Sequence, residues 1–332
     1  MLTYEEMGKL PADRSVIPNS CESFAESAFY VAEAATRHMN KFFEEVGITE
    51  LAIFESTGSV VVYEGEKMKG FVEGLGKVWD NIWKAIKGAF EKLINFIHEK
   101  QKEAALKVVD KVSESDVEKI DDKKFEKTLG KFTYIQYKYN EVKKEIESNF
   151  TGSTTSMPNL FDLSDEEARK QSADYVKEVN GKIYGGSDVT TLEALNEAVK
   201  KACTSEGKAL TKEYLKSNLN SMKDTTKDLL NSAKSNYSKM KRTIDDNKRK
   251  LRALKDKDMD VVRAEQRCQV ARTMAYNSAI FATYDVAKLA LKQNMSVLKM
   301  VGALAKSKPA TEEKKDEVNQ ESANFIEEAF QW

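Results

Sequence analysis

The chain has 332 residues, 41% hydrophobic and 32% charged, with 53 basic and 54 acidic residues and a formal net charge of −1. That is enough apolar material for a core beneath a surface more charged than average. The most apolar segment, "AIFATYDVAKLAL", is interrupted by Asp285, so no run approaches the roughly 18 apolar residues of a membrane span, and an integral helical membrane protein is excluded.

The neutral total conceals an asymmetry. Residues 1–65 hold 11 acids and 4 bases, net −7, whereas residues 206–257 hold 15 bases and 7 acids, net +8. Opposed charges of this kind favour self-association or a separate partner for each end. The four prolines, Pro11, Pro18, Pro158 and Pro309, leave two proline-free stretches, as long helices require. Cys21, Cys203 and Cys268 form no CxxC pair, and the last two sit in helical patterns as small buried hydrophobes, which fits a reducing compartment. Met1 is not followed by a basic-then-apolar leader, so signal-peptide secretion is not expected and the sequons at Asn149, Asn236 and Asn294 read as chance matches.

In chain order, five segments are expected. Residues 1–65 comprise an acidic helix over 20–46, capped by Ser20 and stopped by Gly47, then a short β-hairpin near 51–64 in "LAIFESTGSVVVYE". Residues 66–149 hold amphipathic helices: the tryptophan helix from Gly70, a charged helix from about Glu103, and one from Asp121–Asp122 to about Glu147. Residues 150–205 form a linker around "NFTGSTTSMPNLFDL", then short helices opened by the capping boxes Ser164/Glu167 and Thr190/Glu193.

Residues 206–305 read as a long antiparallel helical hairpin. Leu215, Leu219, Met222, Thr226, Leu229, Ala233, Tyr237, Met240 and Ile244 recur about every 3.6 residues. "KDKD" turns the chain, and a second pattern runs from Val262 to about Leu304 with small residues on one face, suited to close helix packing. Residues 306–332 are a tether ending in the amphipathic peptide "ANFIEEAFQW". The predicted fold class is mainly α, an elongated helical bundle containing this hairpin.

Along the tryptophan helix, Phe71, Leu75, Trp79, Trp83, Ile86 and Phe90 lie on one stripe, with Glu73, Lys77, Asp80, Lys84, Lys87 and Glu91 opposite. The stripe suits either the interior of a bundle or a partner- or membrane-facing surface. Its opposite face is nearly balanced in charge, with acids and lysines three or four apart as on a solvated helix. Gly70, Gly74, Gly76 and Gly88 each weaken the helix by up to about 1 kcal/mol relative to Ala, which keeps the second reading open.

His38 and His98, the only histidines, belong to no metal or catalytic pattern, and no phosphate loop or dinucleotide fingerprint is present. No catalytic, cofactor or metal site is expected. The run Lys239–Lys257 carries nine bases and three acids, so Lys248, Arg249, Lys250 and Arg252 are candidate phosphate contacts for non-specific DNA, against the plainer reading of a solvated helix end.

The order of an acidic apolar helix, "LAIFESTGSVVVYEGEK", an aromatic–lysine helix and a mainly helical remainder resembles virion structural proteins of large tailed bacteriophages, over roughly the first 100 residues. The resemblance implies a non-enzymatic internal head or capsid-associated protein, assembled in the host cytoplasm. Its partners would be other virion proteins or copies of itself. Head-maturation proteases of some such phages cut after aliphatic-x-Glu, which makes Glu50 in "ITE" and Glu55 in "IFE" candidate processing sites. Phe325, Ile326, Phe330 and Trp332 would then form a docking peptide. The competing reading is a helical pore-forming or membrane-remodelling protein that inserts the Trp79/Trp83 helix.

Overall fold

The structure, a computed structural model, describes residues 23–57, 66–104, 111–155, 158–160, 162–184, 191–254 and 259–306. These residues are mainly α-helical: α1 (Phe24–Thr57), α2 (Glu66–Ala104), α3 (Glu114–Lys119), α4 (Asp122–Lys127), α5 (Tyr139–Thr155), α6 (Asp165–Ile183), α7 (Leu192–Cys203), α8 (Lys212–Leu251) and α9 (Met259–Lys306). Two-residue strands β1 (Thr133–Tyr134) and β2 (Lys208–Ala209) pair antiparallel, Thr133 opposite Ala209 and Tyr134 opposite Lys208. Two compact units result, one drawn from residues within 1–94, 139–203 and 233–285, the other from 95–138, 204–232 and 286–332.

The first unit is built on α9. From Val261 to Tyr284 every residue is buried except Arg263, Arg267 and Ala271. Ala264, Ala275, Ala279 and Ala282 keep the helix thin enough for neighbours to approach. Phe90 meets Phe281 edge-on at 4.7 Å, Phe281 meets Tyr284 at 5.8 Å, and Phe150 stacks on Tyr276 at 4.1 Å. Each large side chain so buried is worth about 1.5–3 kcal/mol.

Enclosure obliges the polar residues of α9 to find protein partners. Gln266 Oε1 accepts from Trp79 Nε1 at 2.7 Å. Tyr276 donates to Asn236 Oδ1 at 3.2 Å, and Asn236 Nδ2 donates to the Tyr284 hydroxyl at 2.7 Å. Asn247 Nδ2 reaches Thr273 Oγ1 at 3.4 Å. As positions on α8 rise from Asn236 to Asn247, their partners on α9 fall from Tyr284 to Thr273, so the two helices run antiparallel here.

Asp285, the residue that interrupts the apolar segment, caps α1. Its carboxylate accepts from the Ser23 hydroxyl at 2.6 Å and from the backbone N–H groups of Phe24 and Ala25 at 2.9 and 2.7 Å. These N–H groups have no partner within α1, and a carboxylate also suits the positive end of the helix dipole. A charged residue in the middle of an apolar face is thereby explained by the start of another helix.

The second unit has its own apolar cluster, including Val117, Ile120, Phe125, Leu129, Leu215, Leu219, Met222, Val297 and Val301. Gln293 bonds both backbone groups of Ile135, accepting from its N–H at 3.0 Å and donating to its carbonyl at 2.9 Å, as a further strand would. Tyr134 donates to Asn294 Oδ1 at 3.0 Å, and Asn294 Nδ2 donates to Thr225 at 2.9 Å. A Cβ on Gly207 would lie 2.3 Å from Thr133 Cγ2, so the approach of the two short strands requires a glycine there.

Several expectations need correction. The first half of the 51–64 hairpin is helix, because α1 continues through Gly47 to Thr57; the rest lies outside the described residues. One interior glycine costs only about 1 kcal/mol, whereas an isolated hairpin is marginal, so continuation of the helix wins. The helix from Asp122 ends at Lys127, and "FTYIQY" goes to β1 and to the Tyr137–Thr204 bridge. The linker's opening residues, to Thr155, extend α5. The Ser164/Glu167 capping box forms, but α7 starts one residue later than read, with Thr191 Oγ1 accepting from Ala194 N–H at 3.2 Å.

Asp285→Ala is expected to lower the unfolding free energy by about 2 kcal/mol in urea denaturation, since three donors lose their acceptor. Asp224→Ala, at an exposed site on α8, is expected to stay within about 0.5 kcal/mol of the parent. Gly207→Ala is expected to cost about 1–3 kcal/mol by the same measurement.

Candidate functional site

The tryptophan stripe lies inside the first unit. Phe71, Leu75, Trp79, Ile86 and Phe90 are buried, and Trp83 is half-buried with its ring 5.2 Å from that of Tyr237. The surface read as partner- or membrane-facing is covered by the chain's own side chains, because an apolar stripe with hydrogen-bonding partners for its indole is more stable enclosed than wet. The opposite face is solvated, with Lys87 and Glu91 paired at 3.5 Å.

Two glycines of α2, Gly76 and Gly88, do not serve close packing. A Cβ built on Gly76 or on Gly88 meets nothing within 4 Å. Both positions therefore weaken the helix without allowing any neighbour nearer.

The basic run divides. Lys248 pairs with Asp80 on α2, and Arg249 with Asp246 one turn back. Lys250 is exposed, and Arg252 lies in a 3-10 turn, Arg252–Leu254, that ends the helix. Arg249 and Lys250 line a cavity of about 510 Å³ together with Phe150, Thr243, Asp246, Asn247 and Arg272. Arg272 is only 3% exposed, and its guanidinium lies 4.9 Å from the centre of the Phe150 ring. Burial works against its charge and lowers its pKa from the ordinary arginine value. The sequence reading missed Arg272, although a signal existed: it is the only charged residue between Cys268 and Tyr284.

A larger cavity, about 910 Å³, opens between α1, α6 and α9, with Met39, Phe43, Val176 and Val270 among its apolar lining and Arg169, Asp260, Arg263 and Arg267 among its polar lining. Asp260 receives Arg169 and Arg263, each at 2.9 Å. Burial opposes its charge, yet hydrogen bonds from the two arginines hold the carboxyl below the ordinary aspartate value. Arg267 lies over the Phe43 ring at 5.4 Å.

Glu50 and Glu55 lie in the helical backbone of α1. Phe325, Ile326, Phe330 and Trp332 lie outside the described residues. Among the described residues no group of three or more His, Cys, Asp or Glu could hold a metal ion, and no helix is long and apolar enough to cross a membrane. Comparison with protein-family models, curated proteins and solved structures finds no match to this chain.

Cys203 and Cys268 are free and buried. Burial pushes their thiols up to about 12 and about 11, and Cys268 lies 3.2 Å from the Ser172 hydroxyl. Only the thiolate is strongly nucleophilic. At pH 8 a disulfide-exchange reagent is expected to leave these two thiols unmodified until denaturant is added; rapid modification of either in the native protein would contradict their placement.

Proposed function

We propose that the chain is a non-enzymatic structural protein of a large tailed bacteriophage virion, internal to the head or capsid-associated, that acts by helix-mediated assembly. The observation that carries this reading is the polar seam between α8 and α9. In the first unit Asn236 meets Tyr276 and Tyr284, and Asn247 meets Thr273; in the second Thr225 meets Asn294. Buried polar pairs of this type penalise every other alignment of two helices, because a slipped register leaves them unpaired. A protein that works by presenting fixed surfaces needs that single register. The N-terminal resemblance supplies the virion setting, and the solvated lysines of α8 offer a cationic face for acidic partners.

A second reading, membrane insertion of α2, draws on Gly76 and Gly88, which weaken that helix without a packing reason. Gly76→Ala and Gly88→Ala are each expected to stabilise the protein by about 0.5–1 kcal/mol. If α2 never leaves the core, both variants keep wild-type assembly and the protein leaves anionic liposomes intact. Leakage that is abolished by either alanine would favour insertion.

The virion reading is tested by mass spectrometry of purified particles from cells in which the chain is made during infection. It predicts the chain in multiple copies per particle, retained through a density gradient. Accumulation in the lysate without incorporation would overturn it.

A further inference from the structure

One face of α9 is turned to α2. Gln266 on α9 accepts from Trp79 on α2, and Phe281 on α9 meets Phe90 on α2. The residue numbers rise together, so the two helices run parallel over this stretch. Asn277 belongs to the same stripe of α9, about three helical turns beyond Gln266 and about one before Phe281. Its level therefore falls between the two contacts with α2.

Asn277 is 1% exposed, and among the described residues neither its Nδ2 nor its Oδ1 has a hydrogen-bond partner. The other buried amides of this region differ. Gln266 is met by Trp79, Asn236 by Tyr276 and Tyr284, and Asn247 by Thr273. Each of these favours the closed packing, because opening breaks its bond. Asn277 acts in the opposite direction. Enclosure takes its amide out of water and supplies no protein partner, so an opening that wets this stripe recovers the loss.

The helix over that stripe carries a weakness of its own. Gly88 lies between Trp79 and Phe90, Gly76 about one turn before Trp79, and a Cβ on either would meet nothing within 4 Å. Close approach requires neither glycine, and each lowers the intrinsic stability of the helix. An unmet amide on α9 and two unneeded glycines on α2 thus weaken one helix contact from both of its sides.

We propose that the part of α2 between Phe71 and Phe90 is a releasable cover, which opens while α9 stays folded among the other helices of the first unit, and that Asn277 sets how readily it opens. Release exposes Phe71, Leu75, Trp79, Ile86 and Phe90 and lets water reach the Asn277 amide. Burial of the same apolar stripe drives the cover closed again. Once detached, a glycine-containing helix is marginal in water, so release also frees its backbone amides to exchange. Release of this kind requires neither a virion setting nor a membrane.

The test is native-state hydrogen exchange of the full chain, read by mass spectrometry at increasing sub-denaturing urea. Amides of residues 71–90 are expected to exchange at least about tenfold faster than those of residues 261–284, through an opening with a weaker urea dependence, because it exposes less surface. Asn277→Leu keeps the branching of the side chain and removes both polar atoms. It is expected to slow exchange over 71–90 by at least about tenfold. Exchange of the two segments at one free energy with one urea dependence would overturn the release, and that comparison needs no variant. Exchange over 71–90 that Asn277→Leu leaves unchanged or accelerates would overturn the role given to Asn277.

Discussion

A helix buried at all but three of two dozen residues dictates much of this structure. Between Val261 and Tyr284, α9 has almost no solvated side. Its apolar residues supply the drive for the other helices to cover it, and its polar residues decide how they do so. A buried donor or acceptor left unmet costs about 1–3 kcal/mol, comparable with a large fraction of a domain's net stability. Trp79 on Gln266, Asn236 between two tyrosines, and Asp285 at the start of α1 are each consequences of that constraint. Among the described residues Asn277 stands apart, with both polar atoms of its side chain buried and no hydrogen-bond partner for either.

The same constraint gives the basic end of α8 its character. Arg272 sits inside a covered helix with Phe150 over its guanidinium, beside a cavity that Lys250 and Asn247 also line. Lys248, by contrast, is spent on Asp80. A run that reads as uniform cationic charge thus separates into a paired residue, cavity-lining residues and solvated ones.

Where the sequence was informative, one periodicity stood without a rival. The long helices α8 and α9 and the capping box at Ser164 follow from spacing and from cap chemistry alone. Where two local signals competed, tertiary pairing decided. "LAIFEST" has strand-forming residues yet continues α1, whereas "FTYIQY", with similar residues, lies where Lys208, Ala209 and Gln293 pair with its backbone. Sequence alone could not show that Asp285 belongs to a helix start about 260 residues away, although its intrusion into an apolar face marked it as needing a partner. Arg272 carried the same mark and was overlooked. For the tryptophan stripe, both readings were compatible with the pattern, and only the covering residues distinguish an enclosed face from an open one.

Native-state hydrogen exchange tests most directly whether α9 is the element on which the first unit depends. The account predicts that amides from Val261 to Tyr284 are among the slowest in the chain, exchange only through global opening, and follow the unfolding free energy as urea is added. Exchange of that segment through local fraying, at rates like those of the solvated faces of α6, would contradict it.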